Sequence, residues 1–489
     1  MSDTIVALAT PAGRSGIGVI RISGPRATEY TGRLCSQAGH ALVPRQASLR
    51  TLIDIATGEP IDEALITWFK APNSFTGEDV VEISCHGSPV LIRQVVDACL
   101  KLGARLADPG EFSLRALANG RMNLAEAEAI RDLIDAQTAA SARQAVRQMR
   151  GEFSNKLQPI KDELLDTIVV LESALEFVED DLPEMQAAGI REKLVHVAAS
   201  IGRMAATFKA GRLLREGLRV TLAGRPNVGK SSLFNALLGT DRAIVTEIAG
   251  TTRDQINESF SVHGIPVSLI DTAGLRETTD TVESIGVERS RRAVADADVV
   301  VVVIDSSEPV SDEDVQVLKS VAALPHIIVL NKTDKLNAET STAAYTRLGE
   351  AIKDFRPDQS RIVPVSAKTG FGVEDLKHLI VDPFLSPDTA NVPAEHRSNG
   401  KAADGSDREP SSHILSDSGF LITDARHHDL LVRAGEEILS SVELLDQRAS
   451  EELTLIGLHN ALRYLGQITG ETTPEDMLTR IFATFCIGK

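Results

Sequence analysis

The sequence predicts a multidomain protein with α/β and all-α parts, in which a domain built on a mostly parallel sheet is inserted between two halves of a helical domain. Three observations support this fold class. Apolar strands alternate with helical stretches from residue 218 to about 382, which is the pattern of a mostly parallel sheet. Helical periodicity precedes this region and returns after it. Short β-runs mixed with helices occupy the first 117 residues.

Residues 1–118 are predicted to form an α+β domain. A helix is expected near Pro89–Leu102. The short β-runs that precede it are Thr4–Ala9, Gly18–Ser23, Ala64–Phe69 and Val80–Ser84. This mixture of short strands with helices indicates the α+β class.

Residues 119–212 and 416–489 are predicted to form the two halves of one helical domain. The stretch 120–210 is almost free of Pro and Gly, and apolar residues recur every three or four positions, as long amphipathic helices require. Examples are Leu157, Ile160, Leu164, Leu165, Ile168 and Leu171. A similar stripe in the second half is expected to pack on these helices. It consists of Leu455, Leu458, Leu462, Leu465 and Ile468.

Residues 217–382 are predicted to form the inserted α/β domain. Its apolar strands are 218–223, 266–270, 298–304, 327–330 and 361–365. His263-Gly264 is expected to turn a hairpin that ends in the second of these strands. Residues 385–415 are rich in Pro, Ser, Asp, Asn and Gly and nearly lack large apolar side chains, so a flexible insertion is expected there.

The composition predicts a cytoplasmic protein without membrane association. The N-terminus lacks the features of a signal peptide, and no apolar run reaches about 18 residues. Aromatic residues make up only 4% of the chain, which argues against broad stacking platforms for single-stranded nucleic acid. No two of the four cysteines are close in sequence, so neither a zinc site nor a disulfide framework is indicated.

The net charge of −18 opposes binding to polyanions, so a nucleic-acid partner would need a local basic surface or a second subunit. Arg143, Arg147 and Arg150 share a helix face by their spacing and are one candidate surface. A solvated face balanced by nearby acids is an equally good interpretation of the same three residues.

A phosphate-binding loop is predicted at Gly224-Arg225-Pro226-Asn227-Val228-Gly229-Lys230-Ser231, because this run follows an apolar strand and opens a helix. Its glycines let backbone N–H groups close around a phosphate, and Lys230 adds a positive charge. The Ser231 hydroxyl is placed to bind Mg²⁺. The sequence therefore predicts a Ras-like P-loop domain.

The base is predicted to be guanine. Asn331-Lys332-Thr333-Asp334 follows an apolar strand, and the Asp334 carboxylate can accept two hydrogen bonds from the N1–H and the exocyclic amine of guanine. Adenine offers no such donor pair, and unpaired buried polar groups drive strong discrimination. Ser366-Ala367-Lys368 ends the last strand and is expected to brace the base.

Two further segments complete the predicted nucleotide site. Asp271-Thr272-Ala273-Gly274 ends a strand near the metal and the γ-phosphate, and Thr252 is expected to complete Mg²⁺ coordination. The predicted contacts to GTP are Asn227, Val228, Gly229, Lys230, Ser231, Ser232, Thr246, Glu247, Ile248, Ala249, Gly250, Thr251, Thr252, Asp271, Thr272, Ala273, Gly274, Asn331, Lys332, Asp334, Ser366, Ala367 and Lys368.

One position departs from the common GTPase pattern. Ras-like enzymes place a Gln directly after the Asp-x-x-Gly turn to orient the attacking water, whereas this chain has Leu275. Either hydrolysis is negligible or another group performs this role. The candidates from the sequence are Arg253, Arg276 and Glu283. A cation in the loop could also supply the positive charge of an arginine finger, whose effect is about 10³–10⁵ in rate.

Three more stretches stand out: Asn73-Ser74-Phe75-Thr76-Gly77-Glu78-Asp79, Pro109-Gly110-Glu111-Phe112-Ser113 and Phe485-Cys486-Ile487-Gly488-Lys489. Together with the run 224–283 they resemble the tRNA-modification GTPases of the MnmE/TrmE family, and the similarity extends over nearly the whole chain. The resemblance implies a homodimer and a folate-binding N-terminal domain. It also implies modification of a tRNA wobble uridine, in a heterotetramer with an FAD-dependent flavoprotein.

The resemblance implies a K⁺ ion that supplies the positive charge an arginine finger gives in other GTPases. It also implies that two nucleotide-binding domains pair and so trigger hydrolysis. Glu283 would position the attacking water. The K⁺ ligands carried over are Asn227, Thr246, Ile248 and Thr251. The residues carried over for 5-formyl- or methylene-tetrahydrofolate are Arg21, Glu82, Arg121 and Lys489. At position 121 the family often has Lys, and without the resemblance Arg21 and Glu82 would be interpreted as a surface pair.

Two cysteines allow more than one interpretation. Cys486 is either a buried thiol at a helix end or a thiol near the folate, where Lys489 would lower its pKa. Its position four residues from the end mimics a prenylation signal, but the residues that follow do not fit one. Cys85-His86 is interpreted as packing and turn chemistry, because no third metal ligand lies at a suitable spacing.

A second functional hypothesis is a switch GTPase that acts in assembly, for example on ribosomes, without base chemistry. The nucleotide motifs are shared with such factors and do not exclude it. The residues carried over for folate and the Cys486 tail separate the two hypotheses, since an assembly switch has no use for either.

Overall fold

The computed structural model describes residues 3–35, 42–176, 184–239, 257–270, 297–336, 346, 349, 360–385, 419–448, 451–473, 475–486 and 488. The chain divides into two compact units. The first comprises Met1–Ile134, Val146–Ile201 and Leu430–Lys489, and the second comprises Asp135–Ala145 and Gly202–Asp429. The domain limits inferred from the sequence stay predictions.

A six-stranded sheet forms the start of the first unit. Its strands are β1 (Ile5–Leu8), β2 (Ile17–Ser23), β3 (Ser48–Ile53), β4 (Pro60–Phe69), β5 (Val80–His86) and β6 (Arg105–Leu106), in the order β3-β4-β5-β2-β1-β6. All neighbours are antiparallel except β1 and β6. The strands β1, β2, β4 and β5 match the predicted β-runs to within a few residues, whereas β3 and β6 were not predicted.

Alternation of side chains along the strands decides which face of this sheet is buried. Ile20 and Ile22 of β2 and Ile83 of β5 pack with helices α1 (Ala27–Leu34) and α2 (Pro89–Lys101) in one apolar core. Arg21 and Glu82 alternate with these residues and therefore lie on the opposite face of the sheet.

The sheet is followed in the described part of the first unit by a series of helices. They are α3 (Glu111–Ala118), α4 (Leu124–Asp135), α6 (Glu152–Glu176), α7 (Glu184–Ala205), α12 (Ala425–Asp446), α13 (Glu451–Thr469) and α14 (Glu475–Phe482). Helix α5 (Ala139–Met149) precedes α6, and parts of α5, α7 and α12 belong to the second unit.

Helices α6 and α13 pack against each other, which confirms the expected contact between the two helical halves. The apolar stripes on both helices are largely buried. One member was predicted wrongly: Leu165 is 46% exposed, because it lies one position off the buried row that contains Leu164. Just beyond the C-terminal end of α13, Glu471 accepts hydrogen bonds at 2.6 Å on both carboxylate oxygens from the Lys161 ammonium of α6.

The second unit contains the predicted, mostly parallel sheet. Its strands are β7 (Leu218–Ala223), β8 (Asn257–Val262), β9 (Ile265–Ile270), β10 (Val299–Asp305), β11 (His326–Asn331) and β12 (Ser360–Pro364), in the order β12-β11-β10-β7-β9-β8. Only β8 and β9 are antiparallel neighbours, and they form the predicted hairpin at His263-Gly264. The helices with bounds in the described part of this unit are α8 (Phe208–Glu216), α9 (Lys230–Leu238), α10 (Asp312–Val321) and α11 (Val373–Leu385).

Strand order explains where a ligand can bind. The chain leaves β7 toward β9 on one side, whereas β10 lies on the other side of β7. In open α/β sheets, ligands bind at the carboxyl ends of the strands where the order reverses in this way. The predicted insertion lies outside the described residues after Leu385. Among the helices that the structure describes, none is long and apolar enough to cross a bilayer.

Gly211 is required by a close approach between two backbone segments. It lies in α8, and a Cβ atom added there would collide with the carbonyl of Ile422. Gly202, in α7, has open space around the same position. Both residues are helical, so their different surroundings isolate the effect of packing.

We predict opposite effects of alanine at these two helical glycines. Gly202→Ala should raise the free energy of unfolding by up to about 1 kcal/mol, because alanine has the higher helix propensity. Gly211→Ala should lower it by about 1–3 kcal/mol, because the added methyl group overpacks the site. Urea titrations followed by circular dichroism measure both changes. A stabilised Gly211→Ala variant would contradict the observed contact.

Candidate functional site

The loop between β7 and α9 is shaped by two glycines that approach neighbouring strands. A Cβ atom added to Gly224, whose φ is 149°, would lie 2.5 Å from the carbonyl oxygen of Val303. One added to Gly229, whose φ is 98°, would collide with the Asn331 amide. The loop therefore closes into the tight cradle that the sequence predicted, and residues with side chains cannot replace these glycines.

Lys230 begins α9 and folds back over this loop. Its ammonium donates to the carbonyl of Gly224 at 2.9 Å and to that of Arg225 at 2.8 Å. Burial lowers the pKa of Lys230, because desolvation penalises the charged form. A phosphate group in the cradle would supply this lysine with a negatively charged partner.

Two residues at the end of β11 hold the loop from the other side. Asn331 is buried; its Nδ2 donates to the carbonyl of Val228 at 2.9 Å, and its Oδ1 accepts from the Ala367 N–H at 3.1 Å. The Lys332 ammonium donates to the carbonyl of Asn227 at 2.8 Å. These bonds join the phosphate loop, the Asn331–Asp334 segment and the Ser366–Lys368 segment.

Asp334 lies at the outer corner of these three segments. It is exposed, and one carboxylate oxygen accepts from the Ser366 hydroxyl at 2.7 Å. The Thr333 N–H bonds the carbonyl of Val365, which fixes the turn that carries Asp334. An exposed carboxylate held in this way can accept hydrogen bonds from the paired N–H donors of guanine.

The structure brings together the predicted contacts from the loop, from β11 and from the turn after β12. Ser231 and Ser232 are exposed in the first turn of α9, and Lys368 is exposed beside Ala367. The remaining predicted nucleotide, K⁺ and catalytic residues lie outside the described residues. They are Thr246, Glu247, Ile248, Ala249, Gly250, Thr251, Thr252, Arg253, Asp271, Thr272, Ala273, Gly274, Arg276 and Glu283.

Sequence reasoning missed an acidic segment beside the loop. Asp305, the last residue of β10, pairs with Lys332 at 2.5 Å, and Glu308 pairs with the Arg225 guanidinium at 2.5 Å. A signal for Asp305 was present, because a carboxylate directly ends the most apolar strand of the sheet. No local pattern marks Glu308, whose partner lies 83 positions earlier in the chain.

A second cluster of predicted residues forms in the N-terminal sheet. Arg21 Nε and Nη2 donate to one Glu82 oxygen at 3.0 and 2.6 Å, and Nη1 donates to the carbonyl of Gly488 at 3.2 Å. The side chains of Arg21 and Glu82 are only 17% and 28% exposed, so they are not a surface pair at strand ends. The rings of Phe75 and Phe112 lie 5.5 and 5.8 Å from the guanidinium.

Gly488 places the C-terminal segment against this cluster. A Cβ atom added there would collide with the carbonyl of Leu8, so the close approach needs glycine. The Cys486 carbonyl accepts from the Gly110 N–H at 3.4 Å, and Cys486 itself is exposed. Lys489 lies outside the described residues.

The 73–79 segment is held by a buried charge network that sequence reasoning did not identify. Arg115, 1% exposed, bonds the carboxylates of Glu78, Glu111 and Asp3 at 2.8–3.2 Å. Ser23 bonds Glu78 at 2.8 Å from the adjacent strand. The predicted folate residue Arg121 is exposed, and its aliphatic stem lies next to Gly77 of this segment.

Cys85, His86 and Arg147 each contact neighbouring protein groups. Cys85 is buried, burial raises the pKa of its thiol, and His86 bonds Asp62 at 2.8 Å. No cluster of three or more His, Cys, Asp or Glu side chains within the described ranges is arranged to hold a metal. In the proposed basic face, Arg147 pairs with Glu152 at 2.8 Å, as expected for a balanced, solvated helix face.

The parallel sheet, its phosphate cradle and the exposed Asp334 corner define a P-loop protein of the guanine-nucleotide-binding class. A family model described as the MnmE helical domain matches residues 124–486 of this chain. A second model, described as the GTP-binding protein TrmE N-terminus, matches residues 4–121. The chain belongs to the MnmE family of tRNA modification GTPases.

Curated relatives match over the full length. The chain is 42% identical over 492 residues to the tRNA modification GTPase MnmE of Koribacter versatilis, and 38% identical over 491 residues to that of Aquifex aeolicus. Both alignments cover 100% of each chain. The similarity that the sequence suggested is therefore confirmed along the whole chain.

Solved structures match over about a third of the chain. The G domain of the T. maritima FeoB iron transporter is 30% identical, with 34% of this chain and 97% of that chain covered and a TM-score of 0.26. Era in complex with MgGDPNP and a segment of 16S ribosomal RNA is 30% identical, with 34% and 56% covered and a TM-score of 0.28.

We predict that Asp334→Asn lowers the affinity for GTP by about 100-fold, because the neutral amide presents a donor to the guanine amine where an acceptor is needed. Xanthosine triphosphate, which carries a carbonyl at that position, should bind the variant better than GTP does. Competition against a fluorescent guanine nucleotide measures both affinities.

Asp375→Asn is the matched control for this change. Asp375 is exposed in the first turn of α11, outside the Asp334 corner, so its loss should leave both affinities unchanged. An Asp334→Asn variant that keeps wild-type preference for GTP would show that this carboxylate does not read the base.

Proposed function

We propose that this protein is a K⁺-dependent GTPase that, with a flavoprotein partner, modifies the wobble uridine of certain tRNAs at C5. The product would carry an aminomethyl or carboxymethylaminomethyl group, built with a folate one-carbon unit. The observation that carries the proposal is the Arg21–Glu82 pair with the Gly488 carbonyl, in a chain of the MnmE family. An assembly GTPase, the second hypothesis, has no need of such a cluster.

The nucleotide site supports GTP hydrolysis by its own residues. The cradle between Gly224 and Gly229 fits a phosphate, and Lys230 would neutralise part of its charge. Asp334 would hold guanine. Ser231 and Thr252 would hold Mg²⁺, which stabilises negative charge on the phosphate oxygens.

Asn227 is suited to hold a monovalent cation. It is exposed at the tip of the loop in the left-handed conformation, with φ 63°, and its backbone carbonyl already accepts from Lys332. The carboxamide oxygen is therefore the donor that Asn227 would contribute, and oxygen donors suit hard cations such as K⁺. Thr246, Ile248 and Thr251 would complete the set, which supplies the charge an arginine finger gives elsewhere.

The catalytic roles follow from the missing glutamine. Leu275 cannot orient water, so Glu283 would position it through a bridging water, and Arg253 and Arg276 are further candidates for charge stabilisation. Pairing of two nucleotide domains in the homodimer would bring these segments into place. Cycling between paired and separate domains would then drive the modification reaction.

The N-terminal cluster fits the polar groups of a tetrahydrofolate derivative. Glu82 can accept hydrogen bonds from the N–H groups of a pterin ring, and its second carboxylate oxygen is not the one that Arg21 bonds. Arg21, Arg121 and Lys489 supply positive charge for an anionic ligand. Folate, when bound, supplies the one-carbon unit. Cys486 lies two residues before Gly488, whose carbonyl bonds Arg21, so its thiol is a candidate participant in the folate chemistry.

Partners and location complete the proposal. The net charge of −18 suits a division of labour in which the flavoprotein carries much of the affinity for tRNA. We place the working assembly, a heterotetramer of two copies of each protein, in the cytoplasm.

GTP turnover is predicted to be at least about 100-fold faster in K⁺ than in Na⁺ at equal ionic strength, because K⁺ held by Asn227 would supply the charge that an arginine finger supplies elsewhere, an effect of about 10³–10⁵ in rate. Asn227→Gly keeps the left-handed backbone but removes the carboxamide, so it should abolish this difference. Phosphate release measured in the two salts gives the ratio. Asn235→Ala, which removes an exposed amide on helix α9 after the loop, is the control. Equal wild-type rates in both salts would refute the role assigned to K⁺.

Glu82→Gln is predicted to weaken binding of 5-formyl-tetrahydrofolate by about 10- to 100-fold, because it removes a charged acceptor from a mostly buried site. Calorimetry with the full-length protein measures the dissociation constant. Glu63→Gln changes an exposed carboxylate on β4 of the same sheet and should have no effect. Absence of folate binding to the wild-type protein would favour the assembly-switch hypothesis.

A further inference from the structure

We propose that Asp305 is a positioning residue for GTP hydrolysis, which acts through Lys332 to fix Asn227 at the tip of the phosphate loop. By doing so it sets the affinity for the activating monovalent cation. This inference rests on the proposed K⁺ dependence and assigns a residue that controls it. Asp305 itself contacts neither nucleotide nor cation in this scheme.

Asp305 is built as a fixed anion. It ends β10, its side chain is 3% exposed, and it accepts from the Lys332 ammonium at 2.5 Å. Its other oxygen accepts from the N–H and the hydroxyl of Ser307 at 3.0 and 2.6 Å. Burial alone would raise the pKa of Asp305, but the bonds from Lys332 and Ser307 hold it below its ordinary value. The carboxylate is therefore charged at neutral pH.

Lys332 carries the effect from Asp305 to the loop. The same ammonium that pairs with Asp305 donates to the carbonyl of Asn227 at 2.8 Å. Lys332 and Asn227 both have left-handed backbones, with φ 65° and 63°, so this contact joins two turns of restricted geometry. Without the Asp305 charge, the partly buried ammonium would lose its main partner, and its bond to the Asn227 carbonyl would no longer be fixed.

The register of the sheet fixes the distance between these groups. Asp305 lies opposite Asn331 in the parallel ladder of β10 and β11, and Lys332 follows directly. Ser306, just after β10, joins the ends of the two strands, because its N–H and its hydroxyl both donate to the Asn331 carbonyl, at 3.0 and 2.6 Å. The carboxylate and the ammonium are thus held at contact distance by backbone pairing.

Other bonds hold the rest of the loop without Asp305. Asn331 bonds the Val228 carbonyl, and Lys230 bonds the carbonyls of Gly224 and Arg225. Loss of Asp305 should therefore release the Asn227 peptide selectively and leave the phosphate cradle in place. The expected effect is on cation activation far more than on nucleotide binding.

Asp305→Asn tests this inference, with Asp298→Asn as the matched control. Asp298 directly precedes β10, at its opposite end, and accepts from the Arg219 N–H at 2.8 Å. GTP hydrolysis is measured against K⁺ concentration at constant ionic strength, and the dissociation constant of a fluorescent GDP analogue is measured in parallel. We expect the half-activating K⁺ concentration of Asp305→Asn to rise about 5- to 10-fold, as loss of one charged hydrogen bond implies. GDP affinity should change less than about threefold, and the control should change neither quantity.

Ser307→Ala is the second variant, because it removes one bond to Asp305 and leaves the buried charge in place. It should shift the half-activating K⁺ concentration in the same direction by a smaller factor, and it decides the matter if Asp305→Asn does not fold. A folded Asp305→Asn variant with wild-type K⁺ activation, or one that loses GDP affinity instead, would overturn this inference but not the proposed K⁺ dependence. A wild-type protein indifferent to K⁺ would overturn the proposed K⁺ dependence and this inference with it.

Discussion

Asn331 approaches the phosphate loop so closely that residue 229 has no space for a side chain. This contact depends on the parallel pairing of β10 and β11, because that pairing delivers Asn331 to the edge of the sheet beside the loop. From there one amide group bonds the Val228 carbonyl and the Ala367 N–H. Two segments that would contact phosphate and base are thus joined through a single buried side chain. The nucleotide site is a property of the sheet edge more than of the loop alone.

The nucleotide site and the N-terminal cluster contain the same arrangement of charged groups, although they belong to unrelated parts of the fold. In each, a cation lies between a carboxylate and a backbone carbonyl: Lys332 between Asp305 and Asn227, and Arg21 between Glu82 and Gly488. The carboxylate fixes the cation, and the cation fixes a stretch of backbone that would otherwise be free to move. Such pairs contribute more to the placement of a segment than to net stability, because desolvation offsets much of the attraction.

Much of this arrangement was predictable from local patterns. The strands β7, β10 and β11, the hairpin at His263-Gly264 and the phosphate loop all carry signals within a few residues. Arg21 and Glu82 were found only through resemblance to a family, because their pairing joins residues 61 positions apart. The same reason explains why two ion pairs were missed, because Glu78 pairs with Arg115 and Glu308 with Arg225, and both partners are distant in sequence. Periodicity also placed both Leu164 and Leu165 in the apolar stripe of α6, but only Leu164 is buried in the packed helix.

Gly488 shows how a site can depend on an atom that is missing. Arg21 bonds the carbonyl of residue 488 and would bond that of any amino acid, so charge does not select what stands there. The backbone of Leu8 makes the selection by shape, because it leaves room for a hydrogen atom only. Exchange of this glycine would displace the segment with Cys486 while Arg21 and Glu82 stayed intact. Such a change would phenocopy loss of the charged pair, and a screen restricted to ionisable residues would overlook it.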